Sequence, residues 1–195
     1  KIPPPLKDRF RTLGMTKLLY YYGGFNIPTS TIVLKDLKEV YDRTTLGSGI
    51  VIGEMVNKTN LYNSSNFFLN RSFLACQKNN KVMRQFINFL EIQLSNDYTS
   101  ENDFLGTFNK WFYTKNPNII SGLEIGTKDK KNKPVRLDDL MAPDIQFHES
   151  LKCIFIPSEE ILKRNKYSWF ARQNDKQIFE SDNVLSKYLL ISQME

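Results

Sequence analysis

The stretch Leu18-Leu19-Tyr20-Tyr21-Tyr22-Gly23-Gly24-Phe25-Asn26-Ile27-Pro28-Thr29-Ser30-Thr31-Ile32-Val33-Leu34-Lys35-Asp36-Leu37 constrains the chain most. An apolar run stops at a pair of glycines, and a β-branched run follows. Glycine adopts left-handed backbone angles at low cost, so Gly23-Gly24 predicts the end of a helix. Thr31-Ile32-Val33-Leu34 suits a buried strand. The segment therefore reads as helix, stop, strand, with the helix predicted over Leu6 to Tyr22. Leu6, Phe10, Leu13, Leu18 and Tyr21 form its expected apolar face, and Gly14 marks expected close packing. Ile2-Pro3-Pro4-Pro5 makes a stiff lead-in.

Downstream, the pattern alternates between strands and helices, which favours an α/β fold. Strands are expected at Gly49–Val56, at Asn66–Leu69 and Ser72–Cys76 on either side of a turn, at Asn118–Ser121 and at Lys152–Ile156. Lys35–Arg43 reads as a short helix or turn. Lys81–Leu94 is the clearest helix: Met83, Phe86, Ile87, Leu90 and Leu94 form one stripe, widened by Val82 and Phe89. Ser100-Glu101-Asn102-Asp103 resembles a capping box opening a helix through Phe104, Leu105, Phe108, Trp111 and Phe112. Ser158-Glu159-Glu160 and Ser181-Asp182 are expected to cap two further helices. The expected organisation is one domain over 1–195.

The Gly-Gly stretch resembles the sugar-nucleotide-binding segment of Asp-x-Asp glycosyltransferases of the GT-A fold. Leu19-Tyr20-Tyr21-Tyr22-Gly23-Gly24 and Leu34-Lys35-Asp36-Leu37 match that frame. Arg11-Thr12-Leu13-Gly14-Met15-Thr16-Lys17 ahead of it, with proline and serine after it, is similar to glycosyltransferase-like proteins of large DNA viruses. The resemblance covers most of the chain and is clearest before Asn60. It implies a GT-A-like mixed sheet flanked by helices. It also implies that the chain is a segment of a longer one, lacking the first nucleotide-binding strands and, in many of that group, a membrane anchor.

The chain departs from the family where chemistry is done. In the family two carboxylates hold a divalent metal, Mn or Mg, that neutralises the donor's diphosphate. Their positions hold Pro28 and Ser30, Asn26 replaces the usual aromatic, and Thr12 and Met15 stand where Asp and Arg are common. Two readings follow. In one, the domain is a non-catalytic, structural or interaction component, with protein partners such as capsid proteins, no cofactor, and a place in the virion or host cytoplasm. In the other, it is an active transferase that grips the diphosphate of a nucleotide sugar through Lys17, Lys35 and the Lys128–Lys133 turn. Neither assigns a catalytic, metal or cofactor residue within this chain outright.

Other chemistry is bounded by composition. The chain has one histidine, His148, so a multi-histidine metal site is out of reach. His148 near Asp144 could complete a metal shell in a GT-A enzyme, or be structural. Glu101 and Asp103 could serve as a general base or as helix caps. Asp138-Asp139 and Asp144 match no metal spacing and read as a solvated loop. Cys76 and Cys153 lie in apolar surroundings and read as buried free thiols, one bridge being the other arrangement two cysteines allow. Gly47-Ser48-Gly49 lacks the nucleophile-elbow pattern. Asn57-Lys58-Thr59, Asn63-Ser64-Ser65 and Asn70-Arg71-Ser72 fit the N-glycosylation pattern. Net charge is +6, which favours acidic partners, but no arginine-rich run points to specific nucleic-acid binding. No apolar run reaches the roughly 18 residues of a membrane helix. Tyr167-Ser168-Trp169-Phe170 reads either as an interface or as core.

Overall fold

A computed structural model describes residues 4–57, 67–96 and 107–194. In chain order the elements are α1 (Pro4–Tyr22), β1 (Gly24–Asn26), β2 (Thr31–Val33), α2 (Lys38–Asp42), β3 (Ile50–Val56), β4 (Phe67–Cys76), α3 (Lys81–Asn96), α4 (Thr107–Tyr113), β5 (Asn118–Ile120), α5 (Leu137–Leu140), β6 (Cys153–Phe155), α6 (Ser158–Lys163), α7 (Asp175–Glu180) and α8 (Val184–Ser192). Short 3-10 turns cover Arg43–Thr45 and Phe170–Arg172. Four strands make a mixed sheet in the order β1-β4-β3-β5. β1 runs antiparallel to β4, and β3 runs parallel to β5. β2 and β6 make a separate antiparallel pair. The fold is α/β, with a mixed sheet flanked by helices.

The chain groups into two compact units. The first comprises Lys1–Ile27, Lys38–Gly53 and Leu69–Ile120, and the second comprises Pro28–Leu37, Glu54–Phe68 and Ser121–Glu195.

In the first unit, α3 lays the predicted stripe on a core that includes Ile50, Ile52, Leu74 and Cys76. Met83, Phe86, Ile87, Leu90 and Leu94 are all buried. Phe86 is the hub of an aromatic cluster: its ring centroid is 4.6 Å from Phe112 and 5.0 Å from Trp111. The helix starts cleanly because the Asn80 carboxamide oxygen accepts from the amides of Val82 and Met83.

The end of α1 is as the glycines predict. Gly23 has φ +70° and its N–H donates to the Leu19 carbonyl at 2.8 Å. A Cβ there would lie 2.8 Å from the Lys78 nitrogen, so the position demands glycine for space as well as for backbone angle. The apolar face of α1 is not the one expected. Phe10, Leu18 and Tyr21 are exposed, while Thr16 and Leu19 are buried and Leu13 and Tyr20 pack against the core. Two apolar stripes compete on this helix, and α3 takes the one carrying Leu19. Gly14 is exposed, and a Cβ there would meet nothing within 4 Å, so close packing within the protein does not explain it.

Phe67–Cys76 is one continuous strand rather than two around a turn. The polar pair at its middle stays extended because Asn109 on α4 receives the Arg71 N–H and one guanidinium nitrogen, both at 3.3 Å. The capping segment expected at Ser100–Asp103, and Phe104 and Leu105 with it, lie outside the described residues.

The second unit packs Ile32, Leu34, Leu137, Leu140, Ile154, Tyr167, Phe170 and Leu185 together. Val33 is exposed, so β2 is buried on one side only. Tyr167 and Phe170 are core residues and Trp169 is exposed. Ser158 is the first residue of α6 and makes no cap; Pro157 precedes it. The cap of α8 is Asn183, whose side chain accepts from the Ser186 N–H at 2.9 Å, and not Ser181-Asp182. α5 and α7 fall where no helix is expected from the sequence. At six residues or fewer, neither shows a readable period.

Candidate functional site

The Gly-Gly turn borders a shallow depression of about 390 Å³ in the first unit. Met15, Leu18, Leu19 and Tyr22 from α1 form one wall, and Gly23–Ile27 form the other. Its one side chain with hydrogen-bonding amide groups, Asn26, donates to the Ser72 carbonyl at 3.2 Å. Thr12 is half-buried with its carbonyl taken by the Thr16 hydroxyl, and Met15 is exposed. Among the described residues, no carboxylate lines this depression.

Pro28 and Ser30 belong to the second unit. The Ser30 carbonyl accepts the Ile156 N–H at 2.8 Å, next to the Thr31–Phe155 register pair. Ser30 thus extends the β2–β6 ladder with its backbone. Its side chain is a neutral hydroxyl, and Pro28 carries no donor atom. Divalent Mg or Mn is held by carboxylate oxygens and waters, so these two residues do not fit the family's metal. Among the described residues, no group of three His, Cys, Asp or Glu side chains is placed to hold a metal ion.

The lysines named as diphosphate ligands are engaged within the protein. Lys17 pairs with Glu91 at 2.7 Å. The Lys35 ammonium donates to the Glu149 carbonyl at 3.1 Å. Lys128 pairs with Glu54 at 2.7 Å, with side chains only 15% and 21% exposed. Glu54 is the residue the sequence did not announce. Its carboxylate also accepts the Gly122 N–H at 3.0 Å, and its carbonyl accepts the Thr127 hydroxyl at 2.7 Å. The Lys128 ammonium lies 4.3 Å from the centre of the Phe67 ring. Glu54 sits in a strand that is otherwise apolar, which was the one available signal for it.

Beyond Lys128 the polar turn forms as expected, closed by a bridge from Lys128 to Pro134. One Asp129 carboxylate oxygen accepts the N–H groups of Lys131 and Lys133 at 2.8 and 2.7 Å, and Asn132 has φ +62°. Lys130, Lys131 and Lys133 are exposed at its tip.

Asp138 and Asp139 lie on α5 rather than in a loop. Asp139 accepts the Arg136 N–H at 2.8 Å, closing the first turn. Asp138 gathers the Tyr167 hydroxyl at 2.5 Å, Arg164 at 2.8 Å and Lys166 at 3.2 Å. The Tyr167 hydrogen bond, then the Arg164 one, hold its carboxyl well below the usual range. In return Asp138 raises Arg164, and Tyr167 with Asp138 raise Lys166. Asp144 is exposed, and its charge adds to burial in pushing the Tyr188 hydroxyl up.

His148 is held locally: its Nδ1 lies 2.8 Å from the Ser150 hydroxyl and accepts the Ser150 N–H at 3.2 Å. Cys76 and Cys153 are free and buried, one in each unit. Burial pushes the Cys76 thiol up to about 12; burial and the Glu124 charge do the same for Cys153. Both are poor nucleophiles. Ser48 donates to the Asn116 carbonyl at 3.3 Å. Asn70 folds its side-chain oxygen onto the Ser72 N–H at 2.8 Å. Glu101, Asp103 and the Asn63 sequon lie outside the described residues, as do the two residues after Asn57.

Comparison with family models, with curated protein sequences and with solved structures finds no significant match to this chain.

Proposed function

We propose that this protein is a glycosyltransferase-like domain without metal-dependent transfer chemistry, serving as a structural or interaction component of an assembly such as a virus particle. The observation that carries this reading is at Pro28 and Ser30. A proline and a backbone-engaged serine hold the two positions where the resemblance calls for carboxylates. Without anionic ligands a cation is not held, and a leaving diphosphate is not neutralised by that route. The metal-independent route needs cations presented to the phosphates. Lys17, Lys35 and Lys128 already have protein oxygens as partners. Only the exposed tip lysines Lys130, Lys131 and Lys133 remain of the set named for that role.

The test is calorimetric titration of the protein with a panel of nucleotide sugars, with and without manganese, alongside a hydrolysis and transfer assay. No binding heat and no turnover is the expected result. Micromolar binding accompanied by turnover establishes the active transferase instead. If that binding is unaffected by manganese and lost on replacing Lys130, Lys131 and Lys133, the tip lysines are the phosphate grip.

A further inference from the structure

The exposed side of α1 is unlike an ordinary solvated helix face. Met15, Leu18, Tyr21 and Tyr22 are 43%, 51%, 52% and 78% exposed, and Phe10 flanks them at 47%. At 3.6 residues per turn, Lys7 and Arg11 fall within roughly 20° of Leu18 around the axis. All three point out together. The centre of the face is therefore divided along its length: Lys7 and Arg11 in the first half, with Phe10 at its edge, and Met15, Leu18 and Tyr22 in the second. The apolar half runs into the depression of about 390 Å³ beside Gly23–Ile27. Gly14 lies between the halves, exposed, with nothing within 4 Å of a Cβ placed there. A mid-helix glycine weakens a helix. Here it leaves room for a second backbone to come close, as small residues do at helix crossings.

We propose that this face is a docking surface for an amphipathic helix of another protein, acidic where it meets Lys7 and Arg11 and apolar where it meets Leu18 and Tyr22. Charge selects the occupant. The helix carries Lys7, Arg9, Arg11 and Lys17 against one acid, Asp8. A second copy of this chain would set like charges together in a parallel pairing, and cations against Leu18 and Tyr22 in an antiparallel one. A membrane surface suits a helix whose cations flank an apolar arc around the axis. Along the centre of the α1 face the two chemistries share one arc and separate along the axis, which matches a segmented partner. Aromatic residues, Met and Arg are the side chains enriched at protein interfaces. The proposal stands whichever way the nucleotide-sugar titration falls.

The whole chain is titrated by calorimetry with three synthetic helical peptides that share one leucine stripe. One carries glutamates at the end preceding the stripe, one lysines at the same positions, and one glutamines. The glutamate peptide is expected to bind roughly tenfold tighter than the glutamine peptide, with an affinity that falls with salt. The lysine peptide is not expected to bind. Leu18→Glu should abolish binding, and Arg11→Glu, which leaves Lys7 beside a new carboxylate, should remove the preference for the glutamate peptide. Both residues are exposed, and an unchanged melting curve confirms that each variant folds. No binding of the glutamate peptide, or equal binding of all three, overturns the proposal. So does a Leu18-dependent dimer in sedimentation, or Leu18-dependent binding to phosphatidylserine vesicles in place of peptide.

Discussion

The two compact units are built by different means. The first relies on long periodic elements: a 16-residue α3 presses one apolar stripe onto β3 and β4, and rings close the core around Phe86. In the second, the described helices number nine residues or fewer, and polar clasps fix them. Asp138 ties α5 to Arg164, Lys166 and Tyr167. Glu54 ties β3 to Lys128 and to the Gly122 turn. Each unit is therefore vulnerable in its own way. Dispersion over many ring contacts makes the first sensitive to lost volume. The second depends on single carboxylates whose removal strands a partner.

The largest expected effect is on the aromatic hub. Phe86→Ala should destabilise the first unit by about 3–5 kcal/mol, read from urea denaturation. Each unit carries one buried thiol, so thiol labelling separates them. Cys76 should become reactive at lower urea in this variant while Cys153 keeps its protection. Equal loss of protection at both would show that the units unfold as one and would remove the contrast.

Next is the clasp at Glu54. Glu54→Gln should cost about 1–3 kcal/mol, because it strands a Lys128 ammonium that is mostly shielded from water. The thiol pattern should reverse, with Cys153 exposed first. If Cys76 leads instead, the clasp supports β3 in the first unit and not the second.

Asp138 sharpens the picture through pH. Its folded value is depressed below the unfolded one near 4, so its contribution is fully present above that pH and is lost as pH falls through the folded value. Being half-exposed, the group should contribute about 1 kcal/mol or less. The stability gap between the protein and Asp138→Asn should be present at pH 6–7 and close progressively below about pH 4. A gap that persists at low pH would assign the loss to packing around Tyr167.

The smallest effect has the opposite sign. Gly14→Ala should raise stability by about 0.5–1 kcal/mol, since the site is helical and open. The same variant should weaken the acidic peptide described above. A destabilised Gly14→Ala would mean that the helix needs glycine for its own packing.

The stripe of α3 could be read directly because its apolar positions, the exposed Ile92 apart, fall on one face. The stop at Gly23 could be read because only glycine tolerates both its backbone angle and its crowding. α1 could not be oriented: it carries apolar groups around most of its circumference, so composition does not say which stripe meets α3. The continuity of β4 was hidden for a related reason. Asn70 and Arg71 look like a turn until Asn109, distant in sequence, supplies the hydrogen bonds that keep them extended. The site was legible only as a departure. Pro28 and Ser30 lack metal-binding carboxylates on any fold, whereas Glu54 as the partner of Lys128 needed the tertiary structure.

The sequence by itself settled the α/β class, the helix-glycine-strand frame, the stripe of α3 and the absence of carboxylates at Pro28 and Ser30. These follow from local periodicity and side-chain identity, which need no partner. Folding alone fixed which face of α1 stays in water, that Phe67–Cys76 is one strand, and which acids hold which cations. Those are pairings between residues far apart in the chain. A lysine has no preference among distant carboxylates until folding brings one within 3 Å and excludes water around it.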